Sequence, residues 1–296
     1  MRILTAERGV MPRLRWLRWI RYRELLLLQA TPLFGVLFAA GPDLRDAIAR
    51  IGLFAVGGFL LLAHTFTFND WAEFGADLKD PDKAAALTGR DASRSELGAF
   101  SSGLLVLALL VFGLLGFRTL LLGAALAALG TLYSHPAIHG KAVPVLSSAL
   151  HLVAGILHFL LGYSLNDPID LRGVLIGLFF ALTFTAGHLN QELRDYEGDR
   201  LNGLRTNAVT FGRTTTFLAG LALFTLAYAH LVALALAGFI PPALGWLGVL
   251  YPVHLGLSVV TLRGGLTYES MTRFRDRYRA LYALLGLGML GGLLLA

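Results

Sequence analysis

The 296-residue sequence contains no cysteine and few charged residues, and each shortage excludes a class of protein or site. Without cysteine there are no disulfides, no thiolate metal ligands and no cysteine nucleophile. Charged residues make up only 15% of the chain, against about a quarter in an ordinary soluble domain. Hydrophobic residues account for 56% and the mean hydropathy is +0.66, more apolar surface than one soluble core of this size would bury. The composition therefore predicts a membrane protein.

Long apolar runs divide the chain into candidate membrane spans. A helix needs roughly 20 mainly apolar residues to cross the hydrocarbon core. Nine runs qualify, and the first is counted as a span rather than a signal peptide because further apolar runs follow at once. They lie near residues 24–41, 50–68, 98–116, 119–134, 144–163, 172–190, 214–237, 241–262 and 279–296. We expect a basic interfacial arm over residues 1–23 and a single transmembrane domain over 24–296.

The distribution of lysine and arginine predicts the orientation of the chain. Of the 25 basic residues, 21 fall in the N-terminal arm and in four loops on the same side of the spans. That side is expected to be cytoplasmic, which puts the N-terminus and the sizeable polar loops at the cytoplasmic face of the inner membrane. The arginines of the arm, together with Trp16, Trp19 and Tyr22, are typical of a lipid-headgroup anchor. The net charge of +6 therefore needs no nucleic acid to explain it.

Two predicted helix ends carry the same polar pattern, in which an amide and two carboxylates recur every four residues. The first set is Asn69, Glu73 and Asp77 after the second run, and the second set is Gln191, Asp195 and Asp199 after the sixth run. At 3.6 residues per turn this spacing places each set on one face of a helix. Each amide also has an acid beside it, Asp70 in the first set and Glu192 in the second.

Stacked carboxylates of this kind predict a divalent metal. Like charges four residues apart repel one another, and proximity to a membrane adds to the cost of ionised groups. A single acidic pattern of this kind is explained by a helix end that is exposed to water. Two matching patterns in one chain make that explanation less favourable than a shared metal site. Mg²⁺ prefers oxygen ligands and usually shares its coordination shell with substrate phosphates. We therefore expect Mg²⁺ ligands at Asn69, Glu73, Asp77, Asp195 and Asp199.

A bound diphosphate also needs positive charge near its leaving oxygens. Lys141 is the strongest candidate because it is the lone charge between Tyr133 and a long apolar run. Other basic residues on the same predicted side are Arg90, Arg94, Arg194, Arg200 and Arg205. The histidines of the apolar stretches share no metal-ligand spacing and are assigned to hydrogen bonds between helices: His64, His151, His158, His188, His230 and His254.

These residues resemble the UbiA-type intramembrane prenyltransferase superfamily, whose members have nine transmembrane helices and two aspartate-rich motifs after the second and sixth. Its NDxxDxxxD motif matches residues 69–77, with Glu73 in place of the middle aspartate. Its DxxxD-type motif matches residues 195–199, and residues 200–206 are similar to the DRxxGxxT continuation. The resemblance covers nearly the whole chain in span count and motif order.

A third block and one loop define where the sequence departs from the family pattern. Residues 133–141 resemble the YSxPPxRxK segment, but Ala137 and His139 stand at the second proline and the arginine. Residues 88–94 take the place of an RPLPSGR-like loop and contain no proline. These departures weaken the expected diphosphate clamp and leave acceptor specificity the least transferable element.

The resemblance implies an all-α membrane protein, with nine transmembrane helices in a UbiA-like bundle around a central cavity open to the cytoplasmic side. It implies Mg²⁺-dependent transfer of a prenyl group from an allylic (poly)prenyl diphosphate to a lipophilic acceptor that enters from the lipid bilayer, with release of diphosphate. The Asp-Tyr-Glu-Gly-Asp-Arg segment is similar to quinone-type and chlorophyll-type members, which favours an aromatic or quinone-type acceptor. Lys141 would stabilise the leaving pyrophosphate, while Asp70, Tyr133, Gln191 and Glu192 would contact the substrate.

Two alternatives remain open at this point. A terpene cyclase on the same scaffold would ionise the diphosphate and let the prenyl chain quench itself, and the motifs do not separate that reaction from transfer. A membrane transporter or lipid-binding protein would belong to a different class. Transporters often have inverted repeats and helices broken at mid-membrane. The two acidic motifs instead repeat in the same orientation near the predicted surface, which favours an enzyme.

Overall fold

The computed structural model describes residues 12–39, 48–78 and 93–295, which are mostly helical and contain no strand. The α-helices are α1 (Tyr22–Leu28), α2 (Ala30–Phe38), α3 (Ile48–Asp77), α4 (Arg94–Leu115), α5 (Phe117–Ser134), α6 (Leu146–Tyr163), α7 (Leu171–Arg194), α8 (Tyr196–Leu201), α9 (Asn207–Phe211), α10 (Arg213–Leu236), α11 (Tyr251–Arg263) and α12 (Tyr268–Leu294). The 3₁₀ segments Pro12–Trp19, Gly140–Ala142 and Pro242–Leu250 complete the described helical structure.

Seven of the described helical segments are long and apolar enough to cross a membrane. They are α3, α4, α5, α6, α7, α10 and the segment Pro242–Arg263, and they correspond to the second through eighth predicted spans. The first predicted span is instead divided into α1 and α2. Pro32 has no N–H to donate to the carbonyl of Leu28, where α1 ends. The ninth predicted span is part of α12, whose first turns are polar. The count of nine spans stays a prediction.

Helix α7 is the most buried of these spans and lies between α6 and α10. Small residues let its neighbours approach closely, as is common where helices pack in membranes. A Cβ on Gly155 of α6 would lie 2.6 Å from the Cα of Ala181 on α7. A Cβ on Gly162 of α6 would lie 1.7 Å from the carbonyl oxygen of Pro32. Glycine at these two positions therefore allows α6 to pack closely against both α7 and α2.

The two acidic patterns lie on different backbone structures. Helix α3 continues without interruption to Asp77, so the first pattern lies along one helix as predicted. Helix α7 ends at Arg194, and Asp195 separates it from α8 with φ −88° and ψ 5°. The prediction of one continuous helix through Asp199 is therefore wrong. Asp195 and Gly198 both have low helix propensity, which favours an interruption in this segment.

Candidate active site

The first acidic pattern packs against the end of α5 and the turn that follows it. Ser134 at the end of α5 donates a hydrogen bond of 3.0 Å to the side-chain oxygen of Asn69. One turn along α3, an oxygen of Glu73 lies 2.5 Å from the ammonium nitrogen of Lys141, and both side chains are half-buried. Asp77 is buried one turn further on. The structure thus brings Lys141 to the first motif.

Asp70 faces the N-terminal arm. Its carboxylate is buried and forms an ion pair with Arg21, the residue before α1. The guanidinium of Arg21 also lies 5.5 Å from the centroid of the Phe66 ring. Trp19 is fully buried, and its ring lies 5.5 Å from that of Phe100. Arg21 and Trp19, which the sequence assigned to the lipid surface, therefore contact the bundle.

The two carboxylates of the second acidic pattern lie in different surroundings. Asp195 accepts two hydrogen bonds from Arg194, from Nε at 2.8 Å and from a terminal nitrogen at 3.1 Å. Burial and the Asp195 carboxylate raise the pKa of Asp199 to about 7, although Lys141 acts in the opposite direction. Lys141 thus contacts Glu73 of the first motif and is close enough to Asp199 of the second to act on its charge. Lys141 therefore acts electrostatically on carboxylates of both motifs.

Glu192 is buried and forms hydrogen bonds to two other elements of the bundle. One of its oxygens accepts hydrogen bonds from Asn207 at 3.0 Å and from Ser147 at 3.3 Å. The other oxygen accepts from the backbone N–H of Ala208 at 3.2 Å. Asn207 and Ser147 were not predicted as site residues. They come from α9 and α6, so no spacing in the sequence relates them to the motif.

Two histidines that the sequence left out of the site lie beside Glu192. Nε2 of His188 is 3.1 Å from an oxygen of Glu192, and the His188 ring stacks on that of His151 at 3.7 Å with 8° between the ring planes. The Tyr133 ring meets His151 edge-on at 4.9 Å. Tyr133 is also within electrostatic range of Glu73 and of the acids of the second motif. The substrate-contacting role of Tyr133 stays a prediction.

The remaining predicted residues that the structure describes are exposed or contact groups outside the acidic motifs, with the exception of Arg194. Arg94 stacks over the ring of Trp71 at 5.1 Å and is exposed. Arg200 is exposed and 3.7 Å from Glu197. Gln191 and Arg205 are exposed as well, and Arg90 falls outside the described residues. Of the predicted arginines that the structure describes, Arg194 alone forms an ion pair with a motif carboxylate.

The oxygen ligands fit a cation that is shared with a bound phosphate. In the described part of the chain, no group of three or more aspartate, glutamate or histidine side chains is arranged to hold an ion without further ligands. Mg²⁺ usually keeps several waters and takes one or two carboxylates together with substrate phosphates. Burial, and after it the Asp195 carboxylate, raises the pKa of Asp199, and a bound cation would favour the ionised form of this carboxyl. The donor set is thus suited to a hard cation that binds with its substrate.

The family assignment follows from the sequence as a whole. The model of the UbiA prenyltransferase family matches residues 29–291, which is most of the chain. The chain belongs to this family. This confirms the resemblance drawn from the motifs, and with it the expectation of a membrane enzyme of the prenyltransferase class. A comparison with curated proteins finds no match.

Solved structures of UbiA homologues share the fold. The UbiA homologue from Archaeoglobus fulgidus bound to DMAPP and Mg²⁺ gives a TM-score of 0.75 at 18% identity, covering 95% of this chain and 100% of that one. The homologue from Aeropyrum pernix K1 gives 0.70 at 20% identity, covering 92% and 98%. Digeranylgeranylglyceryl phosphate synthase gives 0.70 at 17% identity, covering 95% and 98%. The bundle is therefore UbiA-like.

Proposed function

We propose that this UbiA-family enzyme transfers a prenyl group from an allylic diphosphate to a membrane-accessible aromatic or quinone-type acceptor, and that Mg²⁺ is its cofactor. The observation that carries the proposal is the position of Lys141. Its ammonium contacts Glu73 of the first motif and acts on Asp199 of the second. A cation between two acidic helix ends suits a diphosphate that bridges them. Homologues of the same fold bind DMAPP or GPP with Mg²⁺, which supports this assignment.

The metal would be held by side-chain oxygens from both motifs. These are Asn69, Glu73 and Asp77 on α3 and Asp195 and Asp199 around the start of α8. Bound Mg²⁺ supplies positive charge to the diphosphate oxygens and so favours departure of the leaving group. Arg194 holds the Asp195 carboxylate through two hydrogen bonds, and Ser134 holds the Asn69 side chain through one. These contacts orient the proposed ligands before substrate arrives.

Side chains of the protein would stabilise the charges that develop during the reaction. Lys141 binds the pyrophosphate as the allylic C–O bond breaks and the bonding electron pair leaves with it. The electron-rich ring of Tyr133 faces the same region and stabilises positive charge on the allylic carbon. A nucleophilic atom of the acceptor then bonds to that carbon, and the proton that this atom carried is released. Apolar helix surfaces exclude water, which would otherwise capture the allylic cation.

The membrane arrangement is part of the proposal. We infer nine transmembrane helices in one domain over residues 24–296, in the inner membrane, with the cavity and the acidic motifs on the cytoplasmic side. The support is the concentration of 21 of the 25 basic residues in the arm and the loops of that side. The prenyl tail would lie between helices, in contact with lipid.

Purified protein in lipid nanodiscs tests the reaction with Mg²⁺, labelled prenyl diphosphates of several lengths and a panel of quinone precursors. We expect a labelled lipid whose formation requires both the acceptor and the metal. A cyclic hydrocarbon or terpenol formed without acceptor would identify a terpene cyclase instead. No Mg²⁺-dependent pyrophosphate release from any diphosphate would contradict both enzymes and favour a transporter or lipid-binding protein.

Substitution of the proposed ligands tests the site itself. We expect Asp77→Ala and Asp195→Ala each to reduce turnover at least about a hundredfold, because each removes charge that the diphosphate complex requires. Both variants should remain in the membrane at normal levels, measured by quantitative blotting of membrane fractions. Near-normal turnover by either variant would contradict the proposed arrangement.

A further inference from the structure

The stacked histidines His151 and His188 have no part in the mechanism above, although they lie beside the second motif. Their rings are parallel and 3.7 Å apart, between α6 and α7. Tyr133 meets His151 edge-on, and the ring of Phe184 lies 5.1 Å from it. A surface that only contacts an apolar prenyl tail would need no polar ring at this position. The histidine pair therefore points to a ligand with a polar group.

The hydrogen bond that His151 makes determines which of its nitrogens is free. Nδ1 lies 2.9 Å from the backbone carbonyl oxygen of Ser147, one turn earlier in α6. A carbonyl oxygen only accepts hydrogen bonds, so in the neutral ring Nδ1 carries the proton and Nε2 presents a lone pair. Within the described residues, no hydrogen bond reaches Nε2 of His151, and the side chain keeps accessible surface. The bond at Nδ1 lies within α6 and leaves the acceptor at Nε2 without a partner among the described residues.

The neighbouring carboxylates are engaged, which singles out this nitrogen. Glu73 is paired with Lys141, and Asp195 is paired with Arg194. Glu192 accepts hydrogen bonds from both the side chain and the backbone of α9. Nε2 of His188 also has no hydrogen-bond partner, but it is enclosed 3.1 Å from an oxygen of Glu192. His151 is less buried, so its Nε2 is the histidine acceptor that a hydrogen-bond donor on an incoming molecule would reach.

We propose that His151 binds the prenyl acceptor directly, through a hydrogen bond from a hydroxyl group of the acceptor to Nε2. The inference rests on the proposed transfer reaction and defines its acceptor class: a planar molecule that carries a hydroxyl group, held with its ring against Tyr133 and Phe184. His188 supports the His151 ring from the opposite face by stacking. A molecule of the same shape that cannot donate a hydrogen bond would leave Nε2 unpaired, and a site of this kind discriminates against such analogues.

The test uses 1-naphthol and 1-methoxynaphthalene as probes, because they share a ring system and only the first donates a hydrogen bond. Full-length protein in nanodiscs is first saturated with Mg²⁺ and dimethylallyl S-thiolodiphosphate, in which the allylic C–O bond is replaced by a slowly ionising C–S bond. Dissociation constants for the two probes are then measured by equilibrium dialysis. We expect the wild-type protein to prefer 1-naphthol by about tenfold, the size of one hydrogen bond.

Two polar variants distinguish the role of Nε2 of His151 from that of Nδ1, which bonds to Ser147. In His151→Gln the longer side chain places an amide oxygen near the former Nε2, so we expect much of the preference to remain. In His151→Asn the amide nitrogen still donates to the Ser147 carbonyl but nothing reaches the position of Nε2, so we expect the preference to disappear. His158→Asn is the matched control on the same helix, where His158 is half-buried and its Nε2 has no partner. It should keep the full preference.

Each outcome supports or overturns one proposal at a time. Equal affinity of the wild-type protein for the two probes, or a preference retained in His151→Asn, overturns the acceptor role of His151. Binding of the thiolodiphosphate, measured in the same samples, reports on the proposed function. If the wild-type protein does not bind it in a Mg²⁺-dependent manner, the transfer proposal fails, whatever the probes do. Unchanged thiolodiphosphate affinity in both His151 variants shows that they are folded.

Discussion

At the scale of single residues, the site depends on charges that neutralise one another across helices. Lys141 comes from a short 3₁₀ turn, whereas the carboxylates around it come from α3 and α8. The ammonium lies 2.5 Å from Glu73 and is half-buried, so water screens it less than an exposed lysine. A charge in such a position is worth more to a developing pyrophosphate than it would be at the surface.

Replacing this cation should therefore slow the chemical step. We expect Lys141→Met to lower kcat by about a hundredfold to a thousandfold, the range seen when one preorganised electrostatic contact is removed. The measurement is pyrophosphate release at saturating diphosphate and acceptor. Arg273→Met provides a control, because Arg273 is exposed and its ion pair with the exposed Glu269, at 3.8 Å, is screened by water. Its kcat should stay within about twofold of wild type, and a Lys141→Met variant equally active would refute the role of the lysine.

The Arg21–Asp70 pair is the residue-scale contact that joins the arm to α3. Asp70 is buried while Arg21 is partly exposed, so the pair is screened on one side only. Removing one partner of a buried charge costs up to about 3–5 kcal/mol, and the exposure of Arg21 reduces this to roughly 1–3 kcal/mol. We expect Arg21→Gln to lower the thermal stability in detergent accordingly.

A double-mutant cycle measures this coupling. Because Arg21→Gln with Asp70→Asn removes both charges, the double variant should be destabilised less than the sum of the two single variants. The readout is the unfolding temperature followed by circular dichroism. Strictly additive effects would show that the two side chains do not interact in the membrane protein.

At the scale of elements, close packing of α6 on α7 positions the polar groups behind the second motif. Ser147 and His151 lie on α6, and His188 and Glu192 lie on α7. Gly155 allows the two backbones to approach, because any larger side chain there would meet Ala181. The hydrogen bonds around Glu192 therefore depend on a glycine that makes no polar contact itself.

Gly155→Val tests this dependence. The added side chain has to push α6 away from α7, so we expect a loss of several degrees in thermal stability and a loss of turnover of at least about tenfold. Gly113→Val on α4 is the matched control, since a Cβ at Gly113 meets nothing within 4 Å. It should leave turnover near wild type. Turnover and unfolding are measured on both purified variants, and equal behaviour of the two would contradict the packing argument.

The elements also show where sequence patterns are reliable. The second through eighth predicted spans correspond to helices of the structure because length and hydropathy are local properties of the chain. The interruption at Asp195 was missed, because the spacing of four residues persists there although the helix does not. The backbone bonds from Asp195 to Gln191 and from Asp199 to Asp195, of 3.0 and 2.9 Å, preserve that spacing across the break.

At the scale of the whole molecule, the proposed orientation can be tested because the chain has no cysteine. Single cysteines introduced at Leu201 and Ile169, both exposed, report on opposite ends of the bundle. In intact cells a membrane-impermeant maleimide should label Ile169→Cys and spare Leu201→Cys. In inverted membrane vesicles the pattern should reverse. Labelling of Leu201→Cys in intact cells would place the acidic motifs outside the cytoplasm and contradict the orientation.

The sequence by itself determined the membrane class, the family, seven of the spans and the two acidic patterns. These properties are local: hydropathy over one span and the spacing of residues within one segment. Tertiary structure alone decided which groups meet across helices. It paired Lys141 with Glu73 and Arg21 with Asp70, and it stacked His151 on His188. Contacts of this kind depend on how distant helices approach and rotate, and small residues such as Gly155 set that approach through packing rather than through any pattern along the chain.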